Sequence, residues 1–120
     1  MKNKNLGQTL KNMLDGFFYM LVHERNMQIH YAIALVVLFI IWRYSFTAIE
    51  ICLVFLAIGF VISMELINTA IEQTINLCWG EKINPIAKII KDVASLSVFV
   101  AAITAIAIGL FVIVPKLILN

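Results

Sequence analysis

The sequence predicts an all-α membrane protein, with an amphipathic N-terminal helix at the membrane surface followed by three transmembrane helices. Three observations carry this. Hydrophobic residues fill 62% of the 120 positions and charged residues only 13%, about half the charged share of an ordinary globular chain. Three apolar stretches approach or exceed the roughly 20 residues that a helix needs to cross a bilayer. The polar stretch before them carries apolar residues at helical intervals. A chain of this length is a single domain, residues 1–120.

Residues 1–27 are expected to form the surface helix and its turn. Leu6, Leu10, Met13, Leu14, Phe17 and Leu21 recur every three or four positions, with Asn5, Gln8, Lys11, Asn12 and Asp15 between them. Such a stripe suits a helix lying in the interface. The same stripe could pack on a soluble partner, but its direct junction to a span favours the membrane.

The first span is expected over 28–45, built on the short apolar run "IHYAIALVVLFIIW" with residues borrowed from both flanks. The second is expected over 47–78, almost unbroken from Ile51 to Met64 and helical to about Cys78. The third is expected over 89–115, closed by Pro115, which lacks an N–H and disfavours a continuing helix. Between the last two, "WGEKINPIAK" holds Gly80 and Pro85 and reads as a plain connector.

No cleavable leader is expected, because the first sixteen residues are polar and lack a short apolar core. Cys52 and Cys78 fall on one helix about 39 Å apart at 1.5 Å per residue, so they cannot pair within one chain, and their spacing fits no zinc site. A net charge of +2 without a basic run argues against a nucleic-acid partner. Charge also sets orientation. Lys2, Lys4, Lys11, Arg25, Lys82, Lys88 and Lys91 share one side, against Arg43 and Lys116 on the other. The richer side is expected to be cytoplasmic, with Trp42 and Tyr44 at the outer interface and Trp79 at the inner one.

The second span contains an anomaly. "FVISMELINTAIEQTIN" places Glu65, Asn68 and Glu72 in an apolar helix, where an ionisable group costs about 2.5–3.5 kcal/mol or more. At 100° per residue, Glu72 lies about 20° round from Glu65 and about 10.5 Å along the axis. Asn68 and Asn76 fall on or beside the same stripe. That length suits a metal-bound phosphate at one end and a reacting hydroxyl at the other.

Two further polar clusters approach the same membrane side. "HERNMQIH" supplies Glu24, Asn26 and His30, and "KDVAS" supplies Lys91, Asp92 and Ser95. Carboxylates suit Mg²⁺, which shares its coordination with nucleotide phosphates, and a lysine suits phosphate itself. Each cluster has a plainer reading. Glu65 and Asn68 could be interhelical hydrogen-bonding glue, Glu72 an interfacial charge, Lys91 and Asp92 a solvated helix start, and His30 a cap or packing residue. Their convergence on one side favours a site. No phosphate-binding glycine loop and no nucleophile elbow occurs, the five glycines being isolated.

"MELINTAIE", "AKIIKDVAS" and "HERNMQIH" together resemble the prokaryotic integral-membrane lipid kinases, the diacylglycerol kinase and undecaprenol kinase family. The resemblance covers nearly the whole chain, and "N-x-x-I-H" before the first span looks more like the undecaprenol kinase branch. It implies a multi-pass protein of the bacterial plasma membrane, a homotrimeric bundle with active sites shared between subunits, ATP and Mg²⁺ on the cytoplasmic side, and a lipid substrate entering from the bilayer. By the same resemblance, Glu65 matches the catalytic base and Asn68 its polar neighbour. Glu24 and Glu72 match the metal-binding carboxylates and also face the nucleotide. Lys91 and Asp92 match the pair that handles nucleotide and phosphate, with Asn76 beside them. Asn26, His30 and Ser95 are candidate substrate contacts. Four departures stand out: Asn76 where aspartate is common, Gln28 where a basic residue is usual, Asn5 near the place of an arginine, and Ser95-Leu96 in place of two small residues.

The expected function is therefore ATP-dependent phosphorylation of a membrane lipid alcohol, undecaprenol first and diacylglycerol second. A non-enzymatic subunit, such as a small transporter or an assembly factor, is the alternative of another class. A transporter would carry polar residues near mid-depth on several spans, and the first and third spans have almost none.

Overall fold

The computed structural model describes residues 5–80, 82 and 84–119; Lys2 and Lys4, counted in the charge bias, lie outside them. Four helices follow in order: α1 (Leu6–His23), α2 (Arg25–Arg43), α3 (Ala48–Trp79) and α4 (Pro85–Leu119). No strand occurs among the described residues. The last three helices are long and apolar enough to cross a membrane.

Local chemistry sets most boundaries. Asn5 caps α1, its Oδ1 accepting from the Gln8 backbone N–H at 2.8 Å. A single extended residue, Glu24, ends α1 and starts α2. Its N–H donates to the Met20 carbonyl and its own carbonyl accepts from the Gln28 N–H, both at 3.0 Å. The first span thus begins three residues earlier than the sequence predicts. Thr47 opens α3 with a capping box: its hydroxyl accepts from the Glu50 N–H at 3.2 Å, and the Glu50 carboxylate accepts from the Thr47 N–H at 2.8 Å. Gly80 closes α3 at φ 62°, a left-handed conformation that glycine adopts without strain.

Helix α4 is longer than expected at both ends. Pro85 is its first residue, where a missing N–H has no helical partner to lose. Asn84 caps it, accepting from the backbone N–H groups of Ile86 and Ala87 at 2.9 and 3.1 Å. At the far end the helix runs through Pro115 to Leu119. Proline removes one backbone bond, which a membrane helix can tolerate where its neighbours support it. Support comes from the next residue. Lys116 pairs with Glu50 at 3.1 Å and lies 5.5 Å from the centre of the Phe46 ring, which ties the last turn of α4 to the first turn of α3.

The core lies chiefly between α3 and α4, which pack against each other more extensively than any other two helices. Val54, Ala57, Val61, Glu65, Asn68 and Ile75 are buried along one stripe of α3. Ala87, Ala94 and Ala101 are buried at seven-residue intervals on α4, small side chains that let helix backbones approach closely in lipid. Helices α1 and α2 join through a short hinge, with Phe17 stacked on Tyr31 at 4.7 Å and Met20 and Met27 buried. Large apolar side chains stay exposed on α2, α3 and α4, among them Leu35, Phe39, Phe55, Leu56, Phe99 and Phe111. In a bilayer such surfaces can lie against lipid tails or against further helices.

Candidate active site

The turn at residues 44–47 gives a common origin for depth. At 1.5 Å per residue, Glu65 lies about 25 Å along α3 and Glu24 about 28 Å back along α2, near the far edge of a hydrocarbon core about 30 Å thick. Glu72 lies about 36 Å along α3, beyond that edge. The polar face therefore straddles the boundary where hydrocarbon meets water.

Glu65 is at the centre of this face and is only 2% exposed. Packing explains why so polar a residue is inside: it occupies the same stripe of α3 as Val54, Ala57 and Val61, which faces the other helices. Its Oε2 is buried with no hydrogen-bond partner. The His30 imidazole of α2 stands closest in charge-pairing distance, with Nε2 3.6 Å from Oε2. Asn68 follows one turn on and Glu72 two turns on along the same helix, and Glu24 stands at the hinge before α2. The structure thus brings His30 of α2 beside Glu65 of α3, with Asn68 and Glu72 following on the same helix.

Two more buried oxygens lack partners there: Oδ1 of Asn68 and Oγ1 of Thr69. The threonine was not singled out from the sequence. Helical threonines commonly satisfy their hydroxyl on the carbonyl one turn back, and Thr9, Thr74 and Thr104 each do so, on Asn5, Ala70 and Val100. Thr69 does not. Three buried polar atoms without partners on adjacent turns are costly in a folded chain, and they suit a site that is completed by a bound group.

A second cluster lies farther along α3 and at the start of α4. Lys91 donates from Nζ to Asn76 Oδ1 at 2.7 Å, and Lys88 pairs with Asp92 at 2.6 Å. Lys88, Lys91 and Asp92, with Lys82, Asn84 and Trp79, line a hollow of about 270 Å³. Lys91 and Asp92 are therefore gathered beside Asn76 rather than on Glu65, one helical turn past Glu72. The amide of Asn76 leaves the Lys91 charge uncancelled, whereas an aspartate would neutralise it. Gln28 has a structural task, its Nε2 donating to the Leu21 and Val22 carbonyls at 2.8 and 3.4 Å and so closing the end of α1. Asn26 and Ser95 stand exposed on α2 and α4.

An apolar cavity of about 380 Å³ runs between α2, α3 and α4, lined by Val37, Val54, Ile58 and Ile106 among others, and His30 belongs to its wall. One side of the imidazole thus faces an apolar space and the other the Glu65 carboxyl.

The all-oxygen donor set suits a hard cation. Among the described residues no three His, Cys, Asp or Glu side chains form a metal cluster by themselves. Mg²⁺ commonly binds through one or two carboxylates plus substrate phosphates. Glu24 and Glu72 are carboxylates of that kind, and the Glu24 carboxylate makes no capping bond of its own.

A family model described as prokaryotic diacylglycerol kinase matches residues 11–113. This chain belongs to that family. It is 40% identical to the undecaprenol kinase of Bacillus subtilis (strain 168) over 118 residues, covering 89% of this chain and 95% of the relative. It is 31% identical to the diacylglycerol kinase of Synechocystis (strain PCC 6803) over 121 residues, covering 95% of this chain and 69% of that protein. Both relatives carry lipid kinase names, and the family match spans the hinge, the α3 motif and the start of α4 together.

Proposed function

We propose that this protein is a membrane lipid kinase that transfers the γ-phosphate of ATP to the hydroxyl of undecaprenol. The observation that carries the chemistry is Glu65: a buried carboxylate with a partnerless oxygen, at the depth where a lipid hydroxyl meets water. A general base needs to come within about 2.6–3.2 Å of the group that it deprotonates. Glu65 accepts the hydroxyl proton as the lipid oxygen attacks phosphorus, and Asn68 steadies the carboxyl.

Lys91 and Asp92, with Asn76, handle the nucleotide phosphates in the hollow beside Glu72. Glu24 and Glu72 would hold Mg²⁺ together with those phosphates, and bound there it would neutralise the charge that develops during transfer. The apolar cavity ending at His30 supports an acceptor with a long hydrocarbon tail. The acceptor assignment rests on the likeness to the Bacillus subtilis enzyme. Diacylglycerol is the second reading, favoured by the Synechocystis relative.

The remaining features belong to the same proposal. The functional unit is a homotrimer with sites shared between subunits, consistent with the broad apolar surfaces exposed on the single chain. Helix α1 lies on the cytoplasmic face of the bacterial plasma membrane, where the N-terminus and the site meet ATP. The test is transfer of labelled phosphate from Mg·ATP into a bacterial lipid extract by purified protein. Label in a phospholipid or polyprenyl phosphate product supports the reading, and a protein that leaves every lipid unlabelled is not a kinase.

A further inference from the structure

His30 sits in the first turns of α2 with its imidazole between two environments. One is the apolar cavity that the ring lines. The other is the Glu65 carboxyl, with Nε2 3.6 Å from an Oε2 that is buried and without a hydrogen-bond partner. That separation is just beyond hydrogen-bond length, and too short for a water to sit between the two atoms. A side-chain rotation of well under an ångström closes it.

The charges around Glu65 give this contact a purpose. Glu72 two turns on along the same helix and Glu24 at the hinge carry like charge, while His30 is the polar side chain that stands 3.6 Å from the carboxyl. Two carboxylates pushing from the water side would turn an unheld carboxyl away from its productive orientation. Asn68 lies on the same helix as Glu65, whereas His30 reaches it from α2 and so couples the base to the wall of the lipid cavity.

We propose that His30 is a positioning residue for Glu65. With its proton on Nε2 it donates to Oε2 and fixes the plane of the carboxyl. The other carboxylate oxygen is then left to take the proton of the lipid hydroxyl. Any base must be aimed to act, and a misplacement of about 1 Å can cost up to about 10²-fold in rate. This assignment rests on Glu65 being the base of a lipid kinase.

The test measures kcat and KM for lipid and for ATP in His30→Leu, His30→Gln and His30→Leu combined with Glu65→Gln. His30→Leu is expected to lower kcat by about 10–10²-fold while leaving KM for ATP unchanged. His30→Gln keeps a donor of similar reach and is expected to recover most of that loss. In the Glu65→Gln background, removing His30 is expected to cost less than about twofold, since residues acting through one another are not additive. Equal losses from His30→Leu in both backgrounds would overturn the proposal, as would a His30→Leu enzyme with wild-type kcat. Should His30→Leu not fold, His30→Ala takes its place in the same cycle. A wild-type protein that phosphorylates no lipid alcohol would instead overturn the kinase reading on which this rests.

Discussion

Glu65→Gln separates catalysis from structure because of how Glu65 is packed. The residue is almost wholly buried, yet its Oε2 makes no hydrogen bond and the His30 imidazole is 3.6 Å away. Glutamine has nearly the same volume, so it leaves no cavity and breaks no hydrogen bond to Oε2. A buried carboxylate without a hydrogen-bond partner carries a desolvation cost that the neutral amide largely avoids, so the change in stability is expected to be about 1 kcal/mol or less. Turnover is a different matter. Losing a general base costs about 10²–10⁴-fold, equivalent to about 2.7–5.4 kcal/mol of barrier at 1.36 kcal/mol per tenfold. The assay is initial-rate phosphate transfer to lipid, paired with thermal unfolding in the same detergent and with nucleotide binding. The expected variant is folded, binds nucleotide and is nearly inactive. Turnover within about tenfold of wild type would rule out Glu65 as base. A fall in the unfolding midpoint that accounts for the lost activity would make the residue structural.

Three further outcomes follow from the same geometry. Glu24→Ala and Glu72→Ala are each expected to move the Mg²⁺ titration of activity upward by at least about tenfold, the lower bound seen even for outer partners of metal ligands; unchanged titrations in both would place the metal elsewhere. Lys91→Ala is expected to raise KM for ATP by about 10–100-fold, the equivalent of one charge-assisted contact worth about 1.5–3 kcal/mol, and an unchanged KM would remove Lys91 from the nucleotide site. Single cysteines at Ser45 and Lys82, in a protein lacking Cys52 and Cys78, report topology in intact cells: an impermeant reagent is expected to label position 45 and not 82. The reverse would face the carboxylates away from ATP.

Much of this molecule is legible in its sequence, for physical reasons that differ between elements. Three spans follow from length and apolarity alone, because lipid leaves a backbone few alternatives to the helix. Glu65 and Glu72 are conspicuous because charges in hydrocarbon are costly, and the 100° helical step puts them on one face without any tertiary information. The contact between His30 and Glu65 is of another kind. It joins α2 to α3 across 35 positions, and no local periodicity specifies which face of α2 meets which face of α3. Thr69 was hidden for a similar reason: a helical threonine ordinarily satisfies itself, and only the folded chain shows that this one does not. Pro115 misleads in the opposite direction. Its missing N–H argues for a helix end, but the ion pair between Lys116 and Glu50 holds the helix together past it. The sequence shows both charges yet not that they meet.

The likeness to both an undecaprenol kinase and a diacylglycerol kinase leaves the acceptor as the central claim. It is tested most directly by offering purified protein equal amounts of undecaprenol and diacylglycerol in one mixed micelle, with labelled Mg·ATP, and separating the two phosphorylated products. Label is expected to accumulate chiefly in undecaprenyl phosphate, and to fall to background there with Glu65→Gln. Label chiefly in phosphatidic acid would contradict the assignment of undecaprenol and move the chain to its second reading.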